Sequence, residues 1–337
     1  MQKLETLPPP PGVISSLQAG FNVVSGHIAL IILPLLLDVL LWLGPRVSIG
    51  KWYGAVLTNG LDLLKQSSFP AQDLASYTSN VPIIVDFFGR LNWLGWVRTL
   101  PIGIPVLMLN LPGKLPVSTP LGIQNVIQLP TFVMVLSSVM LLTLIGWLGG
   151  GFYFRIVAGA SLGETEAGIS LLRAIVQTVL LSVIWGVGSV IVVLPLLLLI
   201  GLLGAFNAVL AEVVFFIILF LMFWLIVPLF FMPHGIFVRK QNALISIMSS
   251  LRMSRFTLPT SSMFVLSAFL LSRGLSYLWI VPASNSWLML VGIAGHAFIS
   301  TTLLAASFIY YRDMNNWLQD VYERFLQFNN KSSMKKA

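Results

Sequence analysis

The sequence predicts an all-α, polytopic integral membrane protein with about six transmembrane helices and further amphipathic helices at the membrane surface. Composition is the first reason. Of 337 residues, 57% are hydrophobic and only 9% are charged, with mean hydropathy +0.92, whereas a soluble globular protein carries about 25% charged residues. The second reason is run length: a hydrocarbon core about 30 Å thick needs about 20 helical residues at 1.5 Å each, and several uncharged runs meet that length. The third is a pattern that recurs three times. Ile14-Ser15-Ser16-Leu17-Gln18, Ile169-Ser170-Leu171-Leu172-Arg173 and Met248-Ser249-Ser250-Leu251-Arg252 each precede an apolar run. Three other runs end on an aromatic and then arginine, at Phe152-Tyr153-Phe154-Arg155, Ile236-Phe237-Val238-Arg239 and Ile309-Tyr310-Tyr311-Arg312. The chain therefore reads as three units, each an amphipathic entry, a helix out and a helix back.

Residues 1–44 make an N-terminal interfacial helix and the first span. Val13, Leu17, Phe21 and Val24 recur at helical spacing, so Ser15 to Val24 is expected along the inner interface. The first span then covers Gly26 to Leu43, with a kink expected at Pro34. An early Lys3, an acidic Glu5 and the absence of a small-residue cleavage site mark it as a retained helix rather than a signal peptide.

Residues 45–130 form a long extracytoplasmic connection, too long to be an unstructured loop. Helices are expected over Tyr53 to Lys65 and Pro82 to Val97, the latter with Asp86 and Arg90 four apart. Trp93 and Trp96 suit the headgroup level. Pro101 to Leu111 is apolar but broken by Pro101 and Pro105, so it is expected to pack on the helices or dip into the outer leaflet.

Residues 131–312 supply a five-span bundle. Thr131 to Phe152 is the second span, where Gly146 and Gly150 form a G-x-x-x-G that permits close backbone approach. Ser161 with Glu164 matches a capping box and is expected to start the next interfacial helix. Ala174 to Met232 holds two spans joined at Gly204 to Asn207. An amphipathic hinge follows, with Leu244, Ile247, Met248 and Leu251 on one face. The last two spans are Ser261 to Val281 and Trp287 to Tyr310, and 313–337 is an amphipathic tail with Trp317, Val321 and Phe325 as its stripe.

Arginines and lysines concentrate on the loops that follow the aromatic exits, which places both termini in the cytoplasm of a cell membrane, with bacterial origin expected. Four polar residues then fall in the outer half of four different spans: Asp38, Glu212, Arg273 and His296. A charge there costs about 2.5–3.5 kcal/mol on insertion scales, so such groups face protein or water. Arg273 is expected to pair with Asp38 or Glu212 beside His296. A structural ion pair that fixes helix register weighs more than a solute or proton site. His27, near the inner edge, is expected as a satisfied interface histidine. On the cytoplasmic side Arg239, Lys240, Arg252 and Arg255 are candidates for anionic lipid headgroups, beside the plainer role of fixing topology.

With no cysteine and three scattered histidines, no metal centre or other cofactor is expected. No nucleophile elbow, zinc-protease motif or phosphate-binding loop is present, and enzymatic activity is disfavoured. The expected partners are the bilayer, anionic lipid and another membrane protein, not nucleic acid.

The hinge Phe237-Val238-Arg239-Lys240-Gln241-Asn242-Ala243-Leu244 to Arg252, with Phe308-Ile309-Tyr310-Tyr311-Arg312-Asp313, resembles the membrane domain attached to some bacterial glycerophosphodiester phosphodiesterases and its stand-alone relatives. The likeness spans about Gly151 to Asp313, and the long connection departs from it. It implies a helical membrane module without a defined catalytic residue. The leading expectation is therefore a non-catalytic module serving assembly, scaffolding or an accessory role, against a transporter of a small solute or lipid.

Overall fold

A computed structural model describes residues 9–66, 71–110, 117–163 and 168–334. Among them the chain is helical wherever an apolar run is free of clustered glycine and proline. The first run breaks early. α1 (Val13–Gly26) leads through a 3-10 turn (Ile28–Ile31) into α2 (Ile32–Leu43), and the two parts are bent by 97°. The bend falls at His27, whose φ/ψ of −134°/60° leaves the helical region, and not at Pro34 as expected. Pro34 sits in the first turn of α2, where its missing N–H has no intrahelical partner to lose.

The connection is built on the end of α2. β1 (Arg46–Ser48) pairs in parallel with a later strand, and α3 (Gly50–Gln66) packs on α4 (Ala71–Arg90), with Tyr53 and Phe88 rings 4.2 Å apart. The helix expected over Pro82 to Val97 is displaced: α4 carries Pro82 inside it and stops at Arg90. Asn92 ends it by turning extended and accepting the Leu94 N–H with its side chain, which starts a separate 3-10 turn, Trp93–Val97. A second 3-10 turn, Met108–Asn110, is followed by β2 (Ser118–Thr119), β3 (Gly122–Ile123) and β4 (Val126–Gln128), the last being the partner of β1.

The bundle comprises α5 (Phe132–Leu162), α6 (Leu171–Phe206), α7 (Ala208–Phe231), the short α8 (His234–Val238), α9 (Ala243–Trp279) and α10 (Met289–Met334). Asn207 caps α7 by accepting the Leu210 N–H, so the expected hairpin turns at a single residue. Helix α9 is two helices in one: Thr257 leaves the helical region at φ/ψ −123°/18°, two residues before Pro259. Its first part is the amphipathic hinge and its second the span. The capping box is not formed. Ser161 lies in the last turn of α5 and donates back to the Val157 carbonyl, Glu164 is outside the described residues, and Ser170 occupies the N-cap of α6.

Among the described residues five helical stretches are long and apolar enough to cross a membrane, and the bent α1–α2 pair makes a sixth if it is one broken span. Their packing inverts the rule for soluble proteins. On α1 the buried positions are Ser16, Gly20 and Val24, one per turn, while Ile14 is 81% exposed. On the hinge, Ser246, Ser250, Met253 and Ser254 are buried and Leu244, Met248 and Leu251 look outward. On these two faces small residues meet protein and large apolar ones point outward, the pattern expected where lipid solvates leucine as well as a core does and close approach is what remains to be gained. At the centre, the rings of Phe154, Phe237 and Phe308 meet tilted or edge to face, their centroids 5.6, 5.9 and 6.1 Å apart. Each comes from one of the three aromatic exits or the turn just before it, so the repeated motif marks where the units converge.

Candidate functional site

A buried polar site lies where the connection folds back among the helices. Trp93 and Trp96 donate their indole N–H groups to Ser138 and Thr143 of α5, at 2.9 Å each. Below them Val97 and Thr99 lie on Gly146, and Ile102 and Gly103 on Gly150. The two glycines of the G-x-x-x-G thus receive a connection segment rather than a neighbouring span. Gly150 is 18 residues into α5, about 27 Å along its axis. Ile102 and Ile104 end up in the same buried cluster as Tyr153, Phe154 and Val157. The oily, proline-broken stretch is therefore packed on the helices, one of the two placements expected for it.

The segment returns past Asp38. That carboxylate, on α2, is fully buried and accepts the backbone N–H of Leu107 at 2.8 and 3.0 Å and that of Met108 at 3.0 Å. The donors belong to the start of the Met108–Asn110 turn, so Asp38 caps it from another helix. His296 of α10 approaches from the far side, its Nδ1 3.4 Å from Asp38 Oδ2. Gln124 Nε2 closes the end of α2 by donating towards the carbonyls of Leu41, Trp42 and Gly44, groups a helix terminus otherwise leaves unpaired. Trp42 in turn donates to Ser284 of the α9–α10 turn.

Of the four residues expected to cluster, Asp38 and His296 do meet. Arg273 pairs with neither carboxylate; among the described residues it makes no ion pair, and its guanidinium lies 5.9 Å from the Phe269 ring. Glu212 stands exposed in the second turn of α7 and is not part of the site. The expected pairing fails because Asp38 finds its partners on the backbone, and Glu212 is exposed on α7, which packs on α6 and α9. Arg98, which in the sequence is only one more charge of the long connection, follows the Trp93–Val97 turn and makes no ion pair among the described residues.

At the opposite end of the bundle the loops are stitched by cations. Arg155 Nε donates to the Ile169 carbonyl and Arg173 to the Lys240 carbonyl, both at 2.7 Å. Arg239, Lys240, Arg252 and Arg255 are exposed and free of ion pairs among the described residues, and Arg255 lies over Phe256. His27 donates through Nδ1 to the Val23 carbonyl, 3.1 Å away, at the α1 break. A third histidine escapes notice in the sequence: His234 is buried, bonded through Nε2 to Ser307 at 2.7 Å and ringed by Phe230, Phe231, Phe308 and Tyr311. Its position between the prolines of the α7 end and the exit motif is the only hint of this. No trio of His, Asp or Glu suited to a metal occurs among the described residues.

Several helices long and apolar enough to cross a membrane, with almost no strand beside them, define a multi-pass helical membrane protein. Against models of known families, curated proteins and solved structures, the chain finds no match.

Proposed function

We propose that this chain is a non-catalytic membrane module, acting in assembly, as a scaffold or as an accessory subunit, with both termini in the cytoplasm of a bacterial cell membrane. The observation that carries the reading is the use made of Asp38. A carboxylate that relays protons or binds a solute needs acceptor sites open to water, whereas here three contacts from Leu107 and Met108 occupy it at zero exposure. Its charge holds a connection in place. The likeness of the hinge and last exit to the membrane domain of glycerophosphodiester phosphodiesterases supports the same reading, since that domain has no defined catalytic residue.

The absence of cysteine from the chain makes single-cysteine labelling a direct test. Ile293 and Ala297, which flank His296 and are fully buried, are expected to stay unlabelled by a small, membrane-impermeant thiol reagent when replaced by cysteine. Position 240 is expected to label only from the cytoplasm. Rapid labelling at 293 and 297 from the aqueous phase would replace this reading with the transporter.

A further inference from the structure

We propose that the first part of α9, from Ala243 to Phe256, carries a site for an anionic phospholipid, with Arg252 and Arg255 on the headgroup phosphate. Two serines fix which way this part faces. Ser246 Oγ donates to the Met232 carbonyl and Ser250 Oγ to the Pro228 carbonyl, at 2.5 Å each, so its small-residue side lies on the end of α7. Met253, on the same side, accepts at its sulfur from Asn315 Nδ2 of α10 at 3.4 Å. Asn315 comes just after the Arg312–Asp313 ion pair, where α10 changes from apolar to charged. Beyond the break at Thr257, Ser261 meets the Tyr310 hydroxyl at 3.4 Å. The break therefore falls where the span ends, and the part before it lies at headgroup depth.

The opposite face is open and of mixed character. Leu244, Met248 and Leu251 are exposed along it, and the exposed Arg252 and Arg255 continue the same stripe. Three residues apart on a helix, the two arginines are neighbours on its surface. Leu251 precedes the first and Phe256 follows the second, both exposed, and the Arg255 guanidinium lies 5.9 Å from the Phe256 ring centroid. Arg239 and Lys240 stand apart from this pair: they precede α9, and the helix from Ala243 to Arg252 interposes about 13 Å.

The pair has no anion of its own. Neither arginine is in an ion pair among the described residues. The chain has no Asp or Glu between Glu212 and Asp313, and Asp313 is bound by Arg312 at 2.8 Å. A phosphate relieves the repulsion between adjacent guanidiniums by accepting from both planar N–H forks. A phospholipid brings that phosphate together with chains that cover Leu251 and Phe256, which an aqueous anion would leave bare.

The test follows thermal unfolding of the full chain, purified in a maltoside detergent, while titrating phosphatidylglycerol, phosphatidylcholine of the same acyl chains, or inorganic phosphate. Phosphatidylglycerol is expected to raise the unfolding temperature saturably, and the other two to have little effect. Removing both arginines, Arg252→Gln with Arg255→Gln, is expected to raise the half-saturating lipid concentration by about tenfold or more. Arg239→Gln with Lys240→Gln removes the same charge at the far end of this part of α9 and is expected to change it by less than about twofold. Should the first double variant fail to fold, Arg255→Gln alone decides, with a loss of about threefold or more expected. An equal loss in the two double variants overturns the site, because it shows diffuse attraction to a basic surface. Equal stabilisation by phosphatidylcholine or by inorganic phosphate, or no response of the wild-type chain to phosphatidylglycerol, overturns it as well.

Discussion

Leu107 and Asp38 are separated by 69 positions, yet the Leu107 N–H reaches both oxygens of the Asp38 carboxylate, at 2.8 and 3.0 Å. This contact and its neighbour at Met108 tie the returning limb of the connection to α2. Hydrogen bonds to a charged partner contribute about 1.5–3 kcal/mol each. Asp38→Asn keeps the shape but removes the charge, and one orientation of the amide sets a donor against two donors. A loss of about 2–4 kcal/mol is expected, read as a lowered unfolding temperature in detergent. A cysteine placed at Met108 should at the same time become more reactive in the Asp38→Asn background. Unchanged melting together with unchanged reactivity would mean that the Asp38 carboxylate does not anchor the segment.

The other anchor of the segment is steric. At Gly146 an added Cβ would meet the Val97 carbonyl oxygen at 2.4 Å and Thr99 Cγ2 at 2.5 Å, and at Gly150 it would meet Gly103 Cα and the Ile102 carbonyl at 3.0 Å. Gly159, on the same helix, has nothing within 4 Å of that position. Gly146→Ala is therefore expected to destabilise by about 1–3 kcal/mol, the usual cost of overpacking. Gly159→Ala should be neutral or stabilising by up to about 1 kcal/mol through helix propensity. Equal melting temperatures for the two variants would show that the connection does not dock on α5.

The spans were legible because length and hydrophobicity decide them: the turn at Asn207, the two parts of α9 and the approach at Gly146 and Gly150 all sit where the sequence puts them. What approaches those glycines was not legible, since a G-x-x-x-G describes only one surface. The partners of Asp38 were hidden for a similar reason. Charge arithmetic pointed to Arg273, but backbone N–H groups carry no residue signature, and any sequence can supply them at a turn. Likewise, periodicity located the stripe Leu244, Met248, Leu251 without saying whether protein or lipid would face it.

That stripe yields a prediction opposite to the one a soluble protein would give. Ser250 is buried and donates to the Pro228 carbonyl at 2.5 Å, while Leu251 beside it is 48% exposed. Ser250→Leu forces extra volume against α7 and leaves that carbonyl without its donor, so a loss of about 2–3 kcal/mol is expected. Leu251→Ser changes a side chain that touches lipid and should leave the melting temperature in detergent nearly unaltered. Spin labels at the two positions offer an independent readout, immobilised at 250 and mobile and lipid-accessible at 251. The reverse ranking of the two variants would place the apolar stripe against protein.

Helix α1 packs closely along α10. A Cβ on Gly20 would lie 2.6 Å from both the Ala306 nitrogen and the Thr302 carbonyl oxygen, backbone atoms that no side-chain rotation can move. One residue along, the rings of Phe21 and Phe298 meet edge to face at 5.4 Å, which makes the pair a reporter of docking. Cysteines at 21 and 298 are expected to be bridged efficiently by a short bifunctional thiol reagent in membranes. Introducing Gly20→Val should abolish that crosslink by pushing α1 off its groove, while Gly26→Val, at a position with nothing within 4 Å, should preserve it. If the crosslink survives in Gly20→Val, α1 is held by something other than this backbone approach, and the 97° bend after it must then be set by the 3-10 turn alone.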